Sequence, residues 1–282
     1  MDWCEIGSWP LAEASRQITG PVHRWHVQEV GEGPVILLLH GAGGSTHSFR
    51  DLIPILATGF KVVALDLPGH GFTQLGARQR SSLPAMAHDI RALCQQEGWD
   101  PFVIVGHSAG GAVALEMAHE SDDHVIGLNA ALGEFPGLAG LIFPLMAKAL
   151  AAMPFATTLF ANTSASPERV RTLIKSTGSS LTPDGYALYR RLVGNKTHVD
   201  GALRMMAQWD LRALLDALPA HGGRVDLIVG SEDKTVPPDV SARVAGRMAH
   251  ASVHTLQGLG HLAHEEAPEQ VAGLILDLLL NH

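Results

Sequence analysis

The chain has 282 residues, 46% hydrophobic and 17% charged, with a formal net charge of −8. That length and apolar content suit one large α/β domain or two small ones around a sizeable core. The acidic balance, with no run of Lys or Arg, argues against nucleic acid or an anionic membrane surface as a partner.

The two cysteines, Cys4 and Cys94, form neither a disulfide framework nor a zinc pattern, so a reducing compartment is expected. The opening stretch "MDWCEIGSWPLAEASR" has acidic residues early and no apolar signal core. A cytoplasmic location follows as an expectation.

Next, "HRWHVQEVG" (23–31) reads as an amphipathic strand, and "PVILLLHG" (34–41) as a central one, apolar throughout and ended by glycine. "THSFRDLIPILAT" predicts a helix in which Pro54 demands a break or an early end. "KVVALDLPGHG" (61–71) is a strand closing in a Pro-Gly turn. "LPAMAHDIRALCQQEG" (83–98) has helical spacing, with Met86, Ile90, Leu93 and Cys94 on one face. "PFVIVGHS" then gives a strand, "AGGAVALEMAHE" a helix and "HVIGLNAALG" (124–133) another strand.

There the alternation stops. Residues 134–218 read as helical, with no clear strand. "RVDLIVGSED" (224–233) resumes the sheet, "ASVHTLQGLGH" supplies a last strand, and "APEQVAGLILDLLL" a closing amphipathic helix. The expected fold class is α/β, a mostly parallel sheet with helices on both faces. Its core comprises residues 1–133 and 219–282, and residues 134–218 form a helical lid inserted over the carboxyl ends of the strands, where open α/β sheets hold ligands. The long apolar stretch 138–161 is interrupted by Pro144 and Pro154 and carries Lys148. It reads as packed or substrate-facing helices rather than a transmembrane segment.

The chemistry concentrates at Gly106-His107-Ser108-Ala109-Gly110, a G-x-S-x-G between strand and helix. Alone, this sequence fits a glycine-rich turn with an incidental serine as well as it fits a nucleophile elbow. A serine hydroxyl is a weak nucleophile and needs a base, itself oriented by a third group. Both follow in order: Asp233 in "GSEDKTVPP" and His261 in "GLGHLAHEE", each after a strand. Asp233 is preferred to Glu232 because the Asp-x-x-Val-Pro spacing puts it at the turn, with Glu134 in reserve. His261 is preferred to His264, which is expected to support the loop. Oxyanion donors are expected from the backbone N–H groups of Ala109 and Ala42, with Gly43 as an alternative to Ala42. No Lys-Ser or Lys-Thr follows "HGAGGS", so it is no phosphate loop. With no H-E-x-x-H and no Cys cluster, no metal or cofactor is expected. Asp66 in "DLPGHG" reads as a turn-stabilising acid.

With these motifs in order, the chain resembles the α/β-hydrolase superfamily over nearly its whole length. Serine at 108 departs from the dehalogenases and epoxide hydrolases of that fold, which carry aspartate there. "SWPLAEASR", "RWHVQ", "LNAALGEFPGLAGLIFPL" and "MMAQWDLRALL" further resemble the magnesium-chelatase accessory hydrolases of bacteriochlorophyll biosynthesis. The resemblance implies a role in tetrapyrrole metabolism, with a small apolar substrate such as a tetrapyrrole and magnesium-chelatase subunits as partners. Phe143, Met146, Met153, Met206 and Trp209 give the lid an adaptable apolar surface suited to a flat ligand. The same side chains could equally serve to glue lid to core. Two functions stay open: a serine hydrolase of an ester or related acyl bond, and a non-catalytic accessory protein that binds or hands over a porphyrin.

Overall fold

The computed structural model describes residues 1–77, 79–119, 121, 123–133 and 165–280. Eight strands form one sheet: β1 (Ser15–Thr19), β2 (Arg24–Val30), β3 (Val35–Leu39), β4 (Lys61–Leu65), β5 (Pro101–His107), β6 (Val125–Leu128), β7 (Val225–Gly230) and β8 (Ala251–Leu256). Their spatial order is β1-β2-β4-β3-β5-β6-β7-β8. The β1–β2 and β2–β4 pairs are antiparallel, and every other pair is parallel. From β3 the chain turns to β4 on one side, and β5 lies on the other. The carboxyl ends of β3 and β5 therefore flank a topological switch point, where such sheets open a crevice.

The central strands are apolar along their whole length because both faces are covered. Leu37 and Leu39 belong to one core cluster, with helices α2 (Leu83–Glu97) and α3 (Ala109–Ala118). Ile36 and Leu38 point the other way, to a second cluster with α1 (Leu52–Leu56) and the C-terminal helix Pro268–Leu280. The period of two along a strand divides one "VILLL" run between two cores. Each fully buried Leu or Ile contributes about 1.5–3 kcal/mol.

The segment at 46–58 is not one helix. A 3-10 turn (Thr46–Phe49) precedes α1, and the break falls before Pro54 rather than at it. Pro54 sits in the first turn of α1, where a missing N–H leaves no gap in the ladder. Several elements escape the sequence reading, among them the edge strand β1 and the helix Pro238–Ala245 between β7 and β8.

Between β6 and β7 the described residues form α4 (Pro167–Ser176), α5 (Pro183–Val193), α6 (Lys196–Ala207) and α7 (Arg212–Ala217), with no strand among them. The starts of α4, α5 and α6 are capped locally. Ser166 accepts from the Arg169 N–H, Thr182 from the Gly185 N–H and Asn195 from the His198 N–H. After β7 come α8 (Pro238–Ala245), α9 (Ala263–Glu266) and α10 (Pro268–Leu280). Among the described residues no helix is long and apolar enough to cross a membrane. The stretch 138–161, with Phe143, Met146 and Met153, lies outside the described residues, as does Glu134.

Candidate active site

Ser108 stands at the corner between β5 and α3 with φ 51° and ψ −118°, a conformation that L-residues avoid. Three backbone hydrogen bonds hold it there. The Ser108 N–H donates to Leu128 O (2.9 Å), and Ser108 O accepts from Gly111 (3.0 Å) and Ala131 (2.9 Å). The corner leaves no room for side chains beside it. A Cβ at Gly106 would lie 2.3 Å from Gly110 O, and one at Gly110 would lie 2.1 Å from Leu39 O. Glycine at both positions is therefore a steric requirement, while Ser108 itself remains half-buried and reachable.

The loops after β7 and β8 bring an acid and an imidazole to this serine. His261 Nδ1 donates to Asp233 Oδ2 at 2.7 Å, and its Nε2 accepts from Ser108 Oγ at 3.0 Å. The carboxylate can only accept at Nδ1, which fixes the tautomer and leaves Nε2 as the proton acceptor. The other carboxylate oxygen of Asp233 accepts from the N–H groups of Thr235 (2.7 Å) and Val236 (2.8 Å). That is the turn foreshadowed by the Asp-x-x-Val-Pro spacing. Glu232 points outward and is exposed, whereas Asp233 and His261 are only 5% and 6% exposed.

The "HGAGGS" loop follows β3 and lies against the serine: a Cβ on Gly41 would stand 2.9 Å from Ser108 Cβ. The Gly44 N–H donates to Gly41 O at 3.0 Å, closing a tight turn in which Gly43 takes φ +75°. Ala42 is exposed at its tip. Ala109 is the first residue of α3, so its N–H has no carbonyl one turn earlier within the helix. The two expected donors thus come from separate loops that meet at the serine.

Two further residues support the site, Asn129 outside any motif and His107 at an unspecified position of the G-x-S-x-G. Asn129, just past β6 with φ +45°, donates to Gly260 O (3.1 Å) and His261 O (2.9 Å) and accepts from the Gly230 N–H (2.7 Å). It clamps the loop that carries His261 to the end of the strand that leads to Asp233. His107 donates from Nε2 to the same His261 O at 2.9 Å. Burial, then the neighbouring His264 and His261, hold its imidazole well below the usual histidine range. The only hint in the sequence is the amide type of Asn129, a side chain that tolerates left-handed backbone at a strand end.

His264 lies in α9 and packs on Phe49 and His107, with neither ring nitrogen hydrogen-bonded. It fills space under the His261 loop and makes no hydrogen bond to Ser108. Its neighbour Glu265 is buried and accepts from Arg50 (2.6 Å) and from the Tyr189 hydroxyl (2.7 Å), which ties α5 to α9. Burial pushes the Glu265 carboxyl up to about 7 against the pull of Arg50. Asp66 accepts from the Thr46 N–H (2.7 Å), the Phe72 N–H (2.8 Å) and His26 Nδ1 (2.7 Å), the turn-stabilising role expected of it. Of the two described lid candidates, Met206 is half-buried, and Trp209 packs against the main core cluster.

Comparison with known proteins agrees with this fold. The family model of the alpha/beta hydrolase fold matches residues 34–268. A magnesium-chelatase 30 kDa subunit from Rhodobacter capsulatus is 45% identical over 276 residues, covering 96% of each chain. A 2-hydroxy-6-oxo-6-phenylhexa-2,4-dienoate hydrolase from Burkholderia cepacia is 25% identical over 269 residues, covering 92% of each. Among solved structures, an esterase from Thermogutta terrifontis superposes with a TM-score of 0.74 at 22% identity, covering 94% of this chain and 97% of that one.

Proposed function

The chain belongs to the α/β-hydrolase fold family, and from that premise we propose that it is a serine hydrolase cleaving an ester or related acyl bond of an apolar substrate. One observation carries the reading: the unbroken chain Asp233 Oδ2, His261 Nδ1, His261 Nε2, Ser108 Oγ, at 2.7 and 3.0 Å, ending on a serine in strained backbone. A scaffold that only binds a ligand has no use for that arrangement.

Ser108 Oγ attacks the carbonyl carbon while its proton passes to His261 Nε2. The carbonyl electron pair moves onto oxygen, and the oxyanion is held by the N–H groups of Ala42 and Ala109. Asp233 keeps the imidazole in register and stabilises its cationic form. Collapse of the tetrahedral adduct expels the leaving group, which takes the proton from His261. Water then attacks the acyl-enzyme as His261 accepts its proton, and collapse of this second adduct expels Ser108 Oγ, which takes that proton back from His261 as the acid is released. In this reading residues 134–218 form a cap over a core of 1–133 and 219–282. Met206 and Trp209, with Phe143, Met146 and Met153, supply apolar lining.

The substrate class is proposed from kinship. The relative at 45% identity is named a magnesium-chelatase subunit, which favours a tetrapyrrole of bacteriochlorophyll biosynthesis as ligand, chelatase subunits as partners and the cytoplasm as location. The same name favours a second reading, an accessory protein that holds or hands over a porphyrin without catalysis. A fluorophosphonate probe on wild type and Ser108→Ala tests the first. Labelling of the wild type alone is expected; equal labelling of both, or none of the wild type, would sink it. Full complementation of a deletion strain by Ser108→Ala would give the second reading the field. Absorption titration with protoporphyrin or its magnesium form tests the ligand.

A further inference from the structure

The Ala42 N–H is useful only if it points at the oxyanion, and peptide planarity says what aims it. That N–H shares a rigid plane with the Gly41 carbonyl and points opposite to it. The Gly41 carbonyl accepts from the Gly44 N–H (3.0 Å) and from His40 Nδ1 (2.7 Å). The Gly44 N–H in turn shares a plane with the Gly43 carbonyl, which accepts from Nε2 of His198 at 3.1 Å. A fixed direction thus passes from His198 through two peptide planes to Ala42. Each bond in such a chain also polarises the next.

His198 is well built for this task. Its Nδ1 accepts from the Gly71 N–H at 3.0 Å, so the proton must sit on Nε2, facing Gly43. Protonating Nδ1 would break the Gly71 bond, and burial, with His70 and His40 beside it, holds the imidazole well below the usual histidine range. Its backbone is equally fixed. The His198 N–H donates to the Asn195 cap (3.0 Å) at the start of α6. One turn on, Gly201 meets the "DLPGHG" loop so closely that a Cβ there would lie 2.1 Å from Gly69 O. The helix cannot slide without breaking that contact.

We infer that His198, carried on α6 and 156 positions from Ala42 in sequence, is a positioning residue that aims the Ala42 donor at the oxyanion. The inference rests on the serine-hydrolase reading. His198→Asn leaves an amide oxygen near Nδ1 for the Gly71 N–H but no donor for Gly43. His198→Gln puts an amide nitrogen near Nε2 and restores that donor. Removing an oxyanion donor outright costs about 10²–10³ in kcat, and misaiming one costs less. For p-nitrophenyl acetate we expect kcat of His198→Asn to fall about tenfold with KM within about twofold, and the fluorophosphonate labelling rate of Ser108 to fall in parallel. His198→Gln should recover most of that loss. A wild-type rate in His198→Asn, or equal falls in both folded variants, would overturn the inference while labelled wild type left the hydrolase reading standing. An unlabelled wild type would instead overturn the hydrolase reading, and this with it.

Discussion

Replacing Asn129 with alanine should damage stability and catalysis together, by amounts the structure lets one work out. Asn129 is 2% exposed, and its side chain makes three hydrogen bonds, to Gly260 O, His261 O and the Gly230 N–H. The alanine variant leaves the Gly230 N–H and Gly260 O facing nothing, whereas His261 O keeps its donor from His107. Two orphaned buried groups at about 1–3 kcal/mol each give a loss of about 4 kcal/mol. Alanine also fits φ +45° worse than asparagine, adding about 1 kcal/mol that Asn129→Gly would avoid. At about 2–4 °C per kcal/mol for a chain of this size, the midpoint should fall by roughly 10 °C. Catalysis should fall further than the folded fraction does. The clamp sets the spacing of the Asp233 and His261 loops, and a shift of about 1 Å in such a pair is worth about 10²-fold. The assay is kcat on a model ester, each variant held well below its own midpoint, beside thermal melts of wild type, Asn129→Ala and Asn129→Gly. A midpoint within about 3 °C of wild type, or a wild-type kcat in both folded variants, would refute the clamp.

Two further perturbations separate structure from chemistry. Asp66→Asn should cost about 3–4 kcal/mol, because its amide would face donors at Phe72 and His26, while kcat per folded molecule stays within about threefold; a tenfold loss in a fully folded variant would mean Asp66 acts in the reaction. At the opposite end of the sheet Asp226 accepts from His124 and His254 and pairs with Arg224. Burial raises its carboxyl, but hydrogen bonds from the two histidines and Arg224 outweigh it and bring the group to about 2. A folded value below the unfolded one of about 3.9 stabilises the fold above that pH and stops doing so as pH falls toward 2, a total of about 2 kcal/mol. Urea denaturation should therefore find Asp226→Asn weaker by about that much at pH 7, with the gap closing between about pH 4 and 2; a gap independent of pH would contradict the linkage.

What could be read from the sequence follows from where each signal is stored. Strands β3, β5 and β7 announce themselves because burial on both faces writes a continuous apolar run. β1 does not, since "SRQIT" at the sheet edge buries only Ile18. The helix α8, "PDVSARVA", spans only eight residues and buries just Val240, Ser241 and Val244, too few positions to announce it. Ser108, Asp233 and His261 are legible because the turn chemistry around each is local: glycines at 106 and 110, and backbone donors two and three residues past Asp233. Asn129 and His198 are illegible for the converse reason. Their partners are backbone groups 101 and 155 positions away, and a backbone N–H or carbonyl leaves no mark on the residue type that bears it.

The same logic bears on the helices between β6 and β7. The turn after α4 touches both loops that carry Asp233 and His261 of the proposed triad. Thr177 O accepts from the N–H groups of His261 (3.3 Å) and Lys234 (3.1 Å), and Ser179 Oγ accepts from the Leu262 N–H (2.8 Å). Gly178 stands so near Glu232 O that a Cβ there would come within 2.0 Å. Farther along, Tyr189 fastens α5 to Glu265, and His198 fastens α6 to the donor loop. Lifting α4 to α6 as one body would break these five hydrogen bonds, at about 0.5–1.5 kcal/mol each. The open form would then be populated at about one part in a hundred or less, and it would be a form whose base, acid and oxyanion donor had all lost a support. A substrate that needed that motion would meet a disassembled site. On the serine-hydrolase reading, the described helices are therefore part of the scaffold that keeps the proposed triad in register, and productive entry is expected to leave α4 to α6 where they are.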